Sequence, residues 1–242
     1  MGTETGAGAN SSPVRPAERV ERLREVSLFR ELNPTELGDL ALAATERLYP
    51  RDATLFEAGD PAEAVHVILT GAVKVFQRSA DGREKTLAIL GPGDCLGEVA
   101  LLDGGDRSAS AQTMAETRLL SLPRAAFLRA LKRQPVMAEK LLALLAKRLR
   151  VANYQVEQLA FCDARERVAA TLLALAEVHG TGPDGAKRID LRLTHQELAN
   201  LAGTTRETSS RILSELAGLG LIEVDHRHLV VRNPQGLRRL LP

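Results

Sequence analysis

Seven apolar residues, Ala138, Leu142, Leu145, Leu149, Ala152, Val156 and Leu159, recur at steps of 4, 3, 4, 3, 4 and 3. An α-helix turns once in about 3.6 residues, so this alternation draws one apolar line along a helix for three heptads. The spacing predicts a helix over 135–161. Sustained over three heptads, the seam implies a partner helix, and a parallel or near-parallel dimer is expected. Packing on the chain's own domain is the alternative.

The helix divides a 242-residue chain, which is long enough for two domains of roughly 100–150 residues each. Residues 1–16, "MGTETGAGANSSPVRP", have almost nothing to bury and are expected to be disordered. Residues 17–45 carry helical patterns, the second opened by Asn33 as N-cap and Pro34 at the first helical position. From about 48 to 122 the runs "AVHVILTG", "AVKVFQR", "KTLAILG" and "TRLLSLP" alternate with turn signals such as Asp81-Gly82 and Gly91-Pro92-Gly93. Many short strands at even spacing predict a barrel or jelly roll. A short helix is expected over 124–132. The expected domains are therefore 17–134, the dimerisation helix 135–161, and 162–242.

The seam stops at "FCDARE", where Asp163 and Glu166 have capping-box spacing. Phe161, Cys162 and Asp163 are thus the expected hinge, and a helix over 164–179 follows. Beyond the loop "TGPDGAK", "RIDLRL" predicts a strand. Thr194 and Glu197 form a second box, Gly203 a turn, and Thr204 and Glu207 a third box. "LIEVDHRHLVV" predicts a hairpin. Two helices joined at a glycine turn and followed by a hairpin form a winged helix-turn-helix. The fold class is thus α+β: an N-terminal β-roll, a long helix and a C-terminal winged helix-turn-helix.

In "LAGTTRETSSRIL", Ile212 and Leu213, continued by Leu216 and Leu219, form a stripe expected to be buried. Arg206, Glu207, Ser210 and Arg211 crowd the start of the same helix on another face. In a helix-turn-helix that end enters the major groove. Arginine donates two hydrogen bonds to guanine, and glutamate accepts one from cytosine. Thr194, His195, Thr205 and Thr208 are placed to hold phosphates and set register. A Glu207–Arg211 ion pair on a solvated face is the plain alternative.

A second stretch, "LGEVALLDGGDRSAS", carries glycines, an acid and an Arg-Ser pair on what the sequence suggests is a tight loop. Those groups suit a cyclic sugar phosphate. Backbone N–H groups and Arg107 hold the phosphate, Ser108 adds a hydroxyl, and Glu98 accepts the ribose 2′-hydroxyl. An inert loop, with Arg107 paired to Asp103 or Asp106, is the alternative.

Composition narrows the remaining choices. The two cysteines, Cys95 and Cys162, lack CxxC spacing, so no zinc site, iron–sulfur cluster or disulfide framework is expected. Cys95 is expected in the core. His226 and His228 have metal-ligand spacing on the expected hairpin, but they are expected to be exposed turn residues rather than a metal site. No apolar run approaches the roughly 20 residues of a membrane span, and no signal peptide pattern is present. A cytoplasmic protein is expected. Net charge is +1, while residues 187–242 carry nine Lys/Arg against six Asp/Glu, a mildly basic footprint. No metal cluster or nucleophile–base pair suggests an enzyme.

"LTHQELANLAGTTRETSSRILSELAGLGLIEV" resembles the DNA-binding signature of the cyclic-AMP receptor protein/FNR family of bacterial transcription regulators, and the resemblance covers about residues 20–240. It implies that Arg206 and Arg211 contact guanines and Glu207 a cytosine, in a TGTGA half-site of a two-fold palindrome. Ser210 before Arg211 also occurs in the FNR branch, which lacks an arginine at the position of Arg206, so the TGTGA half-site is favoured. Gly97, Glu98, Arg107 and Ser108 match the family's phosphate-binding cassette, which implies cyclic AMP or a related cyclic nucleotide as effector. The FNR-type cysteine cluster is missing, so neither haem nor an iron–sulfur cluster is implied. The resemblance also implies a homodimer, double-stranded DNA as partner, and an RNA polymerase contact through the loop 180–188.

One position departs from the family. The hydroxyl pair that contacts the base from the long helix falls on Ala152 and Asn153 here. In the family, ligand at the seam lengthens or straightens the helix and re-aims the DNA-binding domains. A lost hydroxyl blunts that switch, because a ligand shifts an equilibrium only by its differential affinity. Weak cyclic AMP binding, another small effector and ligand-independent constitutive regulation all stay open at this point.

Overall fold

The computed structural model describes residues 16–182, 185–225 and 228–242. Residues 1–15 of the expected disordered tail, His226, and part of the loop 180–188 lie outside the described residues, while Pro16, expected in that tail, begins the first helix. The chain forms two compact units, one up to Arg83 with Leu87–Leu149, the other Glu84–Thr86 with Arg150–Pro242.

The first unit opens with α1 (Pro16–Glu25) and α2 (Pro34–Ala43). Asn33 caps α2 in a reciprocal box with Glu36, and Pro34 supplies the preset first turn. The helical pattern expected to reach residue 45 stops at Ala43. Thr45 instead begins β1 (Thr45–Tyr49), where alternation rather than helical period buries Glu46. Then come β2 (Thr54–Phe56), β3 (Ala64–Thr70), β4 (Val73–Arg78), β5 (Glu84–Leu90) and β6 (Cys95–Leu96). A short helix, α3 (Glu98–Asp103), stands where only a loop was expected. It is followed by β7 (Ser110–Thr113), β8 (Thr117–Pro123) and α4 (Arg124–Arg133).

The strands make two four-stranded sheets, ordered β1-β8-β3-β6 and β2-β7-β4-β5. This is the expected β-roll. Period-two alternation sorts β3 between two cores. Val65 and Val67 pack with Phe29, Leu37, Phe127 and Leu141 under the helices. Ile68 packs with Val73, Leu96, Ala111 and Leu119 between the sheets. His66 shares the parity of Ile68 and stacks on Phe56, with ring centroids 5.9 Å apart.

The long helix α5 (Pro135–Phe161) runs over the expected span. Its inward face buries Met137 and Leu141, which belong to the first core.

The second unit contains α6 (Ala164–His179), capped by Asp163 in a box with Glu166. It continues with β9 (Gly180–Thr181), β10 (Lys187–Ile189), α7 (His195–Ala202), α8 (Arg206–Gly218), β11 (Ile222–Asp225), β12 (His228–Val231) and α9 (Pro234–Arg238). The sheet order is β11-β12-β10-β9, all antiparallel. The strand expected over "RIDLRL" keeps only its start. Past Ile189 the Asp190 amide donates to the carbonyl of His179, the last residue of α6 (2.9 Å), while its carboxylate accepts from the Thr181 hydroxyl (2.9 Å). Helix α9 was not expected. Asn33-Pro34 and Asn233-Pro234 carry the same opening signal, and Asn233 accepts from the Gly236 amide at 2.8 Å.

Two expectations about the quoted helix need correction. Its N-cap is Thr205, whose hydroxyl accepts from the Thr208 amide (3.2 Å), not Thr204. Glu207 therefore sits one position too early to close a capping box, and its carboxylate is left facing solvent. The buried stripe is Ile212, Leu213 and Leu216. Leu219 is exposed because the helix ends at Gly218 and Leu219 serves as its C-cap.

Candidate functional site

The cassette in the first unit is built around a backbone conformation that needs glycine. Gly97 is the N-cap of α3 at φ +81°. A Cβ there would lie 2.1 Å from Arg107 Nη1. That empty space lets the Arg107 guanidinium fold inward. Arg107 is only 6% exposed. Its Nη1 donates to the Gly97 carbonyl (2.9 Å), its Nη2 to the Ala64 carbonyl (2.8 Å), and its guanidinium lies 4.2 Å from the Phe56 ring centroid. Two of the five N–H groups are thus used, and Nε is buried with no hydrogen-bond partner among the described residues. The expected alternative, pairing with Asp103 or Asp106, is absent. Asp103 instead accepts from the Gly105 amide at 2.9 Å. Burial lowers the Arg107 pKa, and the charges of Asp60 and Glu98 work against that. Ser108, next in the chain, is exposed.

Glu98 is the most buried carboxylate of the cassette, at 1% exposure. One oxygen, Oε1, accepts from Arg148 Nη1, and the same guanidinium donates through Nη2 to the Cys95 carbonyl at 2.5 Å. The other oxygen, Oε2, is buried and has no partner among the described residues. It is an acceptor waiting for a hydroxyl donor. Arg148 was not singled out in the sequence. Its signal was there: Met137, Leu141 and Leu144 step along the inward face of α5 and Arg148 comes next, a charge on an apolar stripe.

Two neighbours complete the electrostatics. His66 bonds the Ser121 hydroxyl through Nδ1 (2.8 Å), and its pKa is lowered to about 3, first by burial, then by the charges of Arg107 and Arg47. The Cys95 thiol is pushed up to about 12, mainly by burial. It is an inert core residue, as expected.

On α5 the seam is open. Leu142, Leu149, Val156 and Leu159 are between 49% and 66% exposed, Ala152 and Asn153 are exposed, Ala138 is half-buried, and Leu145 is half-buried against the unit's own core.

In the second unit Arg206, Glu207 and Arg211 project into solvent from the first turns of α8, and none makes an ion pair or hydrogen bond among the described residues. The alternative Glu207–Arg211 pair is not formed. Ser210 accompanies them, held by His195 at 2.7 Å between Oγ and Nδ1. The capping hydroxyls are more committed. Thr194 donates to the Glu197 carboxylate (2.7 Å), and Thr205 donates to Thr208 (3.1 Å).

The motif is pinned by a residue that sequence reading missed. Arg167 donates to the carbonyls of Cys162 (2.7 Å), Ala202 (2.9 Å) and Gly203 (3.1 Å), joining the expected hinge to the turn between α7 and α8. Of the other hinge residues, Phe161 is exposed and Asp163 is used as a cap. Among the described residues no cluster of three metal-ligating side chains occurs, and no helix is long and apolar enough to cross a membrane.

Comparison with known proteins agrees with this geometry. A family model described as cyclic nucleotide-binding domain matches residues 46–134, and one described as Crp-like helix-turn-helix domain matches residues 166–240. The chain is 44% identical to the Cyclic AMP receptor protein of Thermus thermophilus over 85% of its own length and 92% of that protein's. It is 36% identical to the CRP-like cAMP-activated global transcriptional regulator of Mycobacterium tuberculosis, covering 90% of this chain and 98% of the relative. The solved structure of FixK2 from Bradyrhizobium japonicum superimposes with a TM-score of 0.72 at 31% identity, over 82% of this chain and 98% of that one. A cyclic-nucleotide cassette, a long helix and a winged helix-turn-helix, in that order and with relatives matched over nearly their whole length, place the chain in the CRP/FNR family of transcription regulators.

Proposed function

We propose that this chain is a homodimeric transcription regulator that reads a TGTGA-N6-TCACA-like palindrome under the control of a cyclic nucleotide, cyclic AMP first. The observation that carries the DNA reading is the group Arg206, Glu207 and Arg211, exposed and uncommitted at the start of α8. Unpaired charges of both signs on one helix end match the guanine and cytosine edges of a major groove. His195 and Thr208 beside them, with the capping Thr194 and Thr205, set register on the phosphates.

Effector binding draws support from two buried groups left incomplete. Arg107 is a buried cation with carbonyl partners and no carboxylate, an environment that favours an anion. Glu98 Oε2 is a buried acceptor without a donor. A cyclic phosphate on Arg107 and Ser108 and a ribose hydroxyl on Glu98 would complete both. The dimer reading rests on the open seam Leu142, Leu149, Ala152, Val156 and Leu159, with Leu145 at its edge. The loop 180–188 is assigned to RNA polymerase by analogy with the family, and the protein to the cytoplasm.

Ala152 favours a second reading: an effector other than cyclic AMP, or regulation without ligand. The base contact from α5 then rests on Asn153 alone. The DNA reading is tested by fluorescence anisotropy at fixed salt. Arg206→Ala should cost about 1–3 kcal/mol on the palindrome and relax discrimination at one base pair. An equal loss on random duplex would make Arg206 a phosphate contact and contradict the reading.

A further inference from the structure

The hydrogen bond between His195 and Ser210 carries a consequence for which base Ser210 accepts. The two residues come from different helices of the motif. Thr194 and Glu197 lock the first turn of α7, which holds the His195 ring against α8 with Nδ1 2.7 Å from Ser210 Oγ. Ser210 lies four residues after Arg206 and three after Glu207, so it shares their face of the helix. A helical serine often gives its proton to the carbonyl one turn back. Ser214 does this here, donating to the Ser210 carbonyl at 3.1 Å. Ser210 is instead tied to an imidazole.

That imidazole is exposed, and its Nε2 has no partner among the described residues. A neutral imidazole has one N–H and one lone pair, while a phosphate oxygen only accepts. When Nε2–H donates to a phosphate, Nδ1 becomes the acceptor. The Ser210 proton is then spent on Nδ1, and Oγ turns only lone pairs toward the groove. The donors a major groove offers are the adenine N6 and cytosine N4 amino groups. Guanine O6 and N7 and thymine O4 give Oγ nothing to accept.

We infer that Ser210 is a specificity-determining residue held acceptor-only by His195, and that it selects an adenine or cytosine amino group at one base pair of each half-site. The inference rests on α8 being the groove helix, as proposed above.

The test is site selection by the full chain, at fixed salt and both with and without cyclic AMP, from duplexes randomised through the half-site, followed by titration of individual duplexes under the condition that selects. Wild-type protein prefers adenine or cytosine at one pair by about threefold to tenfold, the range expected of one neutral hydrogen bond. Purine in place of adenine there, which lacks the amino group, removes the preference. Ser210→Ala loses discrimination at that pair and keeps it elsewhere. His195→Phe frees the serine proton and shifts the preference toward guanine or thymine at the same pair. Two results overturn the inference while leaving the groove reading intact: Ser210→Ala selecting as wild type at every pair, or His195→Phe weakening all duplexes evenly with the preference unchanged. A wild-type chain that selects no sequence either with or without cyclic AMP overturns the groove reading and this inference with it.

Discussion

Replacing Arg148 with methionine strands the Glu98 carboxylate. Arg148 is its counterion, bonded to Oε1 and braced on the Cys95 carbonyl. Removing one partner of a fully buried pair costs about 3–5 kcal/mol, because the remaining charge stays out of water. Here the partners are unequal: the Glu98 side chain is 1% exposed and the Arg148 side chain 31%. Water reaching the Arg148 site softens the loss, so Arg148→Met should cost about 2–3 kcal/mol. Glu98→Gln keeps a hydrogen-bonding amide, and a partly exposed Arg148 rehydrates, so it should cost about 1 kcal/mol. The double variant has no stranded charge. It should be more stable than Arg148→Met alone, with a coupling of about 2 kcal/mol. Urea unfolding followed by circular dichroism measures all four proteins. Equal costs for the two single variants, or strict additivity in the double, would refute the argument from unequal burial.

Arg167→Met removes three carbonyl contacts around the turn after α7 and should cost about 2–3 kcal/mol, with DNA affinity falling although Arg206 and Arg211 remain. An unchanged Tm would contradict this. The folded protein keeps His66 neutral down to about pH 3, whereas the unfolded chain takes up the proton near 6.5. Between those values the unfolded state binds more protons, so stability falls as pH drops from 6.5 toward 3. His66→Phe should flatten that acid limb in urea midpoints taken at pH 7 and pH 5, and identical slopes would refute the assignment. Leu149→Lys places a charge on the exposed seam and should convert a dimer to a monomer in sedimentation velocity. A dimer that survives would mean the seam is not the interface.

The long helix was legible because a one-dimensional period encodes it, and its bounds, 135–161, needed no tertiary information. So were the caps at Asn33, Asp163 and Thr194, where the box is a local pair of residues three apart. Thr204 and Thr205 show the limit of such signals. Adjacent threonines offer two caps, and the start of α8 is settled by the Gly203 turn and its packing, which shift the register by one residue. Arg107 and Glu98 were legible as residue types in a spacing. Their burial was not, nor were the partners at Ala64, Phe56 and Arg148, which lie 43, 51 and 50 residues away in the chain. Arg167 looks like any surface arginine on α6. Only the fold brings three carbonyls to it.

The measurement that bears most directly on the central claim is fluorescence anisotropy on a TGTGA-N6-TCACA duplex at fixed salt, with and without cyclic AMP. Affinity for DNA depends steeply on salt, so only a matched pair isolates the ligand. If the incomplete charges of Arg107 and Glu98 form a working effector site, cyclic AMP tightens binding by about tenfold or more, within the usual range of allosteric coupling. The same affinity with and without it would contradict control by cyclic AMP and leave α8 as a reader without that switch.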